Sequence, residues 1–70
     1  MKETIHFASR GQSGNIYYIL GAIRDVLRKQ NRIAEWNELY EEVNRFATSY
    51  IDALEILRKH VNLIDDDGLY

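Results

Sequence analysis

The sequence predicts a single α+β domain in which three helices pack against a two-stranded sheet formed by the two chain ends. Three observations lead to this fold class. Residues 4–8 alternate polar and apolar side chains, as in a half-buried strand. Between residues 15 and 60, apolar residues recur every three or four positions, which is typical of helices that bury one face. Residues 61–64 are mostly apolar and β-branched, which favours a second strand.

The composition indicates one folded domain over residues 1–70. Apolar residues make up 46% of the chain and charged residues 29%, a balance typical of globular proteins. The chain has no cysteine, so it can form neither a disulfide nor a thiolate metal site. A domain of 70 residues is near the lower limit for a self-sufficient core, and we therefore expect self-association, most simply as a homodimer.

The charge and hydropathy of the chain argue against several classes of function. The formal net charge is −2, which does not favour nucleic acid as a partner. No apolar run is long enough to cross a bilayer, and the first residues lack the apolar core of a signal peptide. We expect a cytoplasmic protein without a membrane partner.

The first helix should span residues 15–30. In the polar loop before it, the side chain of Ser13 or Asn15 can accept a hydrogen bond from the first turn and cap the helix. Asn31 should end the helix, because asparagine tolerates a left-handed backbone. Gly21 lies mid-helix, where glycine costs about 1 kcal/mol relative to alanine. Close approach of another helix or of the strand pair is the simplest interpretation of this glycine.

Two further helices and an acidic tail complete the chain. The second helix should span residues 33–46, with glutamates opposite its apolar stripe. Ser49 and Asp52 have the spacing of a capping box, so the third helix should span residues 50–60. The acidic residues 65–67 and Gly68 are predicted to be a solvated end.

The apolar periodicity of all five elements also predicts the core. The residues expected to be buried are Ile5, Phe7, Ile16, Leu20, Ile23, Leu27, Trp36, Leu39, Val43, Phe46, Leu54, Leu57 and Val61.

Residues 10–15 form the strongest candidate for a binding loop. A glycine-rich turn before a helix presents backbone N–H groups and the positive end of the helix dipole, which together can hold a phosphate. The segment matches neither the P-loop nor the dinucleotide fingerprint, so an ordinary turn with a helix cap is the simpler explanation. Two adjacent tyrosines follow, and a tyrosine at a partly exposed site suits an interface. The candidate binding residues are Arg10, Gly11, Ser13, Gly14, Asn15, Tyr17 and Tyr18.

No catalytic or metal-binding pattern stands out. His6 and His60 are the only histidines and lack the spacing of paired metal ligands. The glutamates of the second helix fall on its solvated face, and no nucleophile elbow is present. We expect neither an enzyme nor a bound metal or cofactor.

Two segments carry a resemblance, GNIYYILGAIRDVLRK (residues 14–29) and TSYIDALEIL (residues 48–57). A glutamate-rich helix is predicted between them and an apolar strand after them. The chain resembles short uncharacterised proteins of bacteriophage and prophage genomes, over nearly its whole length. It departs from them at Asn31, where glycine is expected. The resemblance implies a phage or prophage accessory protein that binds a host component or a nucleotide signal, and it assigns no site residue.

Three hypotheses of function follow. The first is a non-enzymatic interaction module that binds a host protein through Tyr17, Tyr18 and the neighbouring loop. The second is a binder, or sponge, for an anionic nucleotide or other small molecule at residues 10–15. The third is a nucleic-acid accessory factor that uses Arg24, Arg28 and Arg32.

Overall fold

The computed structural model describes residues 3–70 and has the predicted α+β architecture. Its elements, in order, are strand β1 (Thr4–Phe7), one 3-10 turn (Gln12–Gly14), helices α1 (Ile16–Lys29), α2 (Ile33–Phe46) and α3 (Tyr50–Leu57), and strand β2 (Asn62–Asp65). The helix α3 is shorter than predicted. Hydrogen bonds from Lys59 N to Ile56 O and from His60 N to Leu57 O tighten its end into a turn that leads to β2.

The two strands are formed by the chain ends, as predicted, and they run parallel. Thr4 pairs with Asn62 and Phe7 with Asp65. Parallel strands need a long crossover connection, which here consists of the three helices. Three successive helices joined by short turns return the chain to the end of the sheet where β1 begins. β2 therefore runs in the same direction as β1.

The core lies between the helices and one face of the sheet. Its buried apolar residues are Ile5, Phe7, Ile19, Leu20, Ile23, Leu27, Leu39, Val43, Ala53, Leu54, Ile56, Leu57, Val61 and Leu63. Ile16 and Trp36, which were predicted to be buried, are only partly covered and pack against the margin of this cluster. The prediction for Phe46 is wrong, because its side chain is 66% exposed.

Phe46 is exposed because it is the last residue of α2. Leu39 and Val43, seven and three residues before it on the same stripe, are covered. Beyond Phe46 the chain turns into α3, and the phenylalanine ring is left between two clefts lined mainly by charged residues. The first is lined by Glu38, Glu41, Glu42, Arg45 and His60, and the second by Asp52, Glu55, Ile56 and Lys59.

The helix ends follow the local chemistry of the sequence. The Asn15 side chain accepts a hydrogen bond from Tyr17 N and caps α1. Asn31 adopts the predicted left-handed conformation, with a φ of 58°. Ser49 caps α3 by accepting from Asp52 N at 3.1 Å, but the Asp52 carboxylate accepts from the backbone and hydroxyl of Thr48 and leaves the capping box incomplete. Within residues 3–70, no helix combines the length and apolarity needed to cross a membrane.

Candidate functional site

The carboxyl ends of β1 and β2 meet at one edge of the sheet because the strands are parallel. This edge places the loop after β1, which contains the predicted binding residues, beside the acidic tail after β2. In open α/β sheets, ligands bind beyond the carboxyl ends of the strands. We therefore expect a site at this edge of the sheet.

The Asp65 carboxylate holds the loop and the tail together. Its Oδ1 accepts hydrogen bonds from Ser9 N at 3.1 Å and Asp67 N at 3.0 Å. Its Oδ2 accepts from the Ser9 hydroxyl at 2.8 Å and from the backbone N–H groups of Leu69 and Tyr70 at 2.9 Å each. The prediction of a solvated acidic end is therefore wrong for Asp65, which organises the tail around itself.

These hydrogen bonds decide the protonation state of Asp65. Partial burial by itself would raise the pKa of the carboxyl, but the hydrogen bonds from Ser9, Asp67 and Tyr70 to the ionised form outweigh it and hold the pKa well below its ordinary value. A carboxylate with a low pKa and two occupied oxygens is a weak general base. We assign Asp65 a structural role.

Replacement of Asp65 by asparagine should destabilise the fold most at neutral pH. Because the folded-state pKa is lowered, the stabilisation by the carboxylate is complete above the unfolded-state pKa of about 3.9 and is lost as the pH falls below it. The difference in unfolding free energy between the parent and Asp65→Asn should therefore narrow below about pH 4. Urea denaturation at a series of pH values measures it.

Asp66→Asn is the matched control for this prediction. The Asp66 side chain is exposed and contacts His6 Nδ1 at 2.8 Å. Exposed ion pairs contribute little to stability, so this variant should stay close to the parent at neutral pH. Equal losses in the two variants would show that Asp65 is not the organising carboxylate.

The backbone N–H groups of the loop are largely used within the protein. Gly11 N donates to Ala8 O, Gly14 N to Gly11 O, and Asn15 N to Gln12 O. Arg10 N donates to the Asp67 carboxylate at 2.8 Å, and Ser13 Oγ accepts from Ala8 N at 2.9 Å. A phosphate cradle would need the N–H groups of Gly14 and Asn15 to be free, and three aspartates beside the loop would repel an anion.

Gly14 and Tyr50 join the loop to α3. The Tyr50 hydroxyl donates to Gly14 O at 2.5 Å, and the Tyr50 ring packs edge-to-face on Tyr70 with centroids 5.1 Å apart. Burial and the nearby Asp65 carboxylate raise the pKa of Tyr50, so its hydroxyl remains a donor at neutral pH. An open cleft of about 610 Å³ lies beside this contact, lined in part by Ser9, Asn15, Tyr17 and Tyr50.

The outer face of α1 is a second candidate surface, defined here as Tyr17, Tyr18, Gly21, Ala22, Arg24 and Asp25. These residues line a shallow cleft of about 400 Å³. Tyr17 is 76% exposed and Tyr18 57%. An added Cβ at Gly21 would meet no neighbouring element of residues 3–70 within 4 Å, so the prediction of a close approach by another element of the chain is wrong.

The basic residues proposed to contact nucleic acid are partly neutralised. Arg32 pairs with Glu35 and donates to Gln30 Oε1 at 2.7 Å, and Arg28 lies 3.7 Å from Asp25. Arg24 makes no ion pair with any of residues 3–70. The helix therefore presents a small positive excess rather than a continuous basic stripe.

The two histidines contact different carboxylates, and His6 contacts Asp66. His60 lies 3.4 Å from Glu42 and 3.7 Å from Glu35, at the junction of the helices. Hydrogen bonds from Lys59 and His60 lower the pKa of Glu42. Among residues 3–70, no three His, Asp or Glu side chains are arranged to hold a metal ion.

The structure thus separates the predicted binding residues into two groups. Residues 10–15 belong to the network at the sheet edge, and Tyr18 belongs to the outer face of α1. Tyr17 lines both that face and the cleft beside the loop. The sequence analysis did not single out Tyr50 or Asp65. The clue available in the sequence was an aspartate directly after a strand, at an edge where parallel strands would bring it to the first loop.

Comparison of the chain with protein-family models, with curated proteins and with solved structures finds no match.

Proposed function

We propose that the chain is a small non-enzymatic interaction module that binds a protein through the outer face of α1. The observation that carries this proposal is Gly21, an exposed glycine in the middle of a 14-residue helix with open space where a side chain would lie. Glycine at such a position costs about 1 kcal/mol relative to alanine. Among residues 3–70, no neighbouring element lies close enough to Gly21 to exclude a side chain. We therefore attribute the glycine to close approach by an external partner.

The tyrosines beside Gly21 support the same surface. Tyrosine offers a large apolar ring and a hydrogen-bonding hydroxyl, and it is enriched among the residues that dominate interface energies. Tyr17 lies one helical turn before Gly21, so a partner that contacts the glycine backbone also contacts this ring. The surface therefore combines two aromatic anchors with a point of close approach.

The charges of the face suggest the chemistry of the partner. Within this face Arg24 and Asp25 balance each other, but Arg28 lies one helical turn after Arg24 and adds a positive charge beside the face. A helix without a side chain at its contact point allows a second helix to lie closer. The partner we propose is a helical segment of another protein that carries acidic side chains. In a phage or prophage setting, that protein would belong to the host.

The geometry of the loop favours this function over nucleotide binding. The N–H groups of Gly14 and Asn15 are used in the 3-10 turn, and the Asp67 carboxylate already occupies Arg10 N. Both carboxylate oxygens of Asp65 already accept hydrogen bonds from Ser9. These contacts support a structural role for the loop rather than a role as an anion site.

Gly21→Ala should stabilise the isolated protein and weaken its complex. Alanine has space at this position, and its helix propensity should raise the free energy of unfolding by about 0.5–1 kcal/mol. Gly21→Leu should remain folded but block close approach by the partner. Urea denaturation measures the first effect, and isothermal titration with a purified partner measures the second.

Capture from a bacterial lysate, with proteomic and nucleotide analysis of the eluate, identifies the partner. The matched control is Asn37→Leu, which adds the same side chain to an exposed position of α2. We expect one protein to be retained by the parent and by Asn37→Leu but lost with Gly21→Leu. Retention by all three proteins, or loss with both variants, would contradict the proposal. A nucleotide in the eluate would favour the alternative.

A further inference from the structure

The outer edge of β1 carries backbone groups that the fold leaves open. Asn62 N donates to Glu3 O and Asp66 N to Phe7 O, both at 2.8 Å, so Glu3 and Phe7 face β2. Since backbone groups alternate in direction along a strand, the N–H and C=O groups of Thr4 and His6 point away from β2. The sheet has two strands, and no further strand of residues 3–70 lies beside these groups.

The open edge of β1 does not extend to Ala8, because the backbone groups of Ala8 form hydrogen bonds within the chain. Its N–H donates to Ser13 Oγ at 2.9 Å, and its carbonyl accepts from Gly11 N at 2.9 Å. Within the described residues, the edge therefore offers the four backbone groups of Thr4 and His6.

The opposite edge of the sheet is partly covered by the chain itself, at the outward carbonyl groups of β2. Nε and Nη2 of Arg58 each donate to Leu63 O at 3.3 Å, and Nη2 also donates to Tyr70 O at 3.0 Å. Gly68 N donates to Asp65 O at 3.0 Å. Covering the carbonyl groups of an edge in this way hinders pairing with another strand. The two edges therefore differ, since the outward carbonyls of β2 accept hydrogen bonds from the chain, whereas those of Thr4 and His6 accept none from residues 3–70.

We propose that β1 pairs with β1 of a second copy of this chain, in antiparallel orientation about a two-fold axis through Ile5. Thr4 then lies opposite His6 of the partner subunit, and each such pair exchanges two hydrogen bonds. Ile5 lies opposite Ile5 of the partner subunit as the non-hydrogen-bonded pair between them. This register uses all four open groups on each strand and requires no others.

A second copy fits this edge better than an unrelated strand for two reasons. A two-stranded sheet is marginal by itself, and pairing makes a four-stranded sheet in the order β2–β1–β1–β2. Because both outer strands of that sheet are β2, whose outward carbonyl groups already accept hydrogen bonds, further pairing is disfavoured and assembly should stop at the dimer. The contact uses backbone groups of Thr4 and His6 and none of the residues that define the outer face of α1, so its test does not depend on the proposed function.

Disulfide trapping tests the register directly, because the chain has no cysteine of its own. The Cα atoms of a non-hydrogen-bonded antiparallel pair lie about 4.5 Å apart, within the range of about 4.4–6.8 Å that a disulfide spans. Ile5→Cys should therefore give a cross-linked dimer under mild oxidation. Ile64→Cys is the control, since three strand spacings and the offset along the strands would separate the two copies of this exposed residue by more than about 14 Å.

Sedimentation equilibrium with a proline variant tests the hydrogen bonds. His6→Pro removes an N–H that points away from β2, so the contacts between β1 and β2 remain. His6→Ala loses the same side chain and its contact with Asp66 but keeps the N–H. The parent and His6→Ala should sediment with twice the mass of one chain, and His6→Pro with the mass of one chain. Circular dichroism verifies that each variant is folded.

Two results would overturn the proposal. A parent that sediments as a monomer up to millimolar concentration has no such dimer, whatever other strand the edge accepts. Ile5→Cys that cross-links no faster than Ile64→Cys places any dimer contact elsewhere. The cross-linking measurement does not depend on the folding of His6→Pro.

Discussion

Phe7→Ala should remove most of the stability of this domain. The Phe7 side chain is 2% exposed and lies at the end of β1, among the residues that the helices pack against. Truncation of a buried phenylalanine to alanine costs about 3–5 kcal/mol, because the apolar area is lost and a cavity remains. The total stability of a small domain is about 5–15 kcal/mol, so the variant should unfold at much lower urea concentration.

Phe46→Ala is the matched control, because it makes the same chemical change at a ring that is 66% exposed. Surface substitutions of this kind usually change stability by less than about 0.5 kcal/mol. Similar midpoints of urea unfolding for Phe46→Ala and the parent, beside a large decrease for Phe7→Ala, would support the core described above. A large loss of stability in Phe46→Ala would mean that the Phe46 ring is covered in solution.

The contrast between these two residues shows what periodicity can predict. Ile5 and Phe7 alternate with polar residues, and a period of two identifies the buried face of a strand whichever strand lies beside it. Leu39, Val43 and Phe46 share a helical stripe, but the stripe gives only their angle around the axis. Burial at the end of α2 depends on how far the neighbouring helix extends, and α3 has only 8 residues. The apolar pattern of α2 does not specify the length of α3.

The site was predictable to the extent that its contacts are local. The Asn15 cap follows from residue type and position, because donor and acceptor are two residues apart. The hydrogen bonds that Ser9 donates to Asp65 join residues 56 positions apart and exist because the strands are parallel. The alternation in the two segments does not fix the relative direction of the strands. The sequence therefore indicated the loop but not the carboxylate that holds it.

Gly14→Ala should be the most damaging substitution in the loop. An added Cβ would lie 2.6 Å from Ser9 O and 2.7 Å from Ala8 O, and these backbone atoms cannot move aside without displacing the end of β1. The glycine is required for space rather than for a left-handed conformation, since Gly68 is the glycine with positive φ among the described residues. Overpacking of this kind costs about 1–3 kcal/mol. The shift would also disturb the hydrogen bond from Tyr50 to Gly14 O.

Gly11→Ala makes the same change three residues earlier in the same loop and provides the comparison. Its added Cβ would lie 3.7 Å from Ala8 O and Cβ, which is ordinary van der Waals contact, and its φ of −106° suits alanine. At such a position, alanine restricts the unfolded chain and can stabilise a protein by about 0.4–1 kcal/mol. Thermal and urea denaturation should therefore show changes of opposite sign in the two variants. If Gly14→Ala were as stable as Gly11→Ala, the close packing of the loop against the end of β1 would be wrong, and with it the anchoring of the loop by Tyr50.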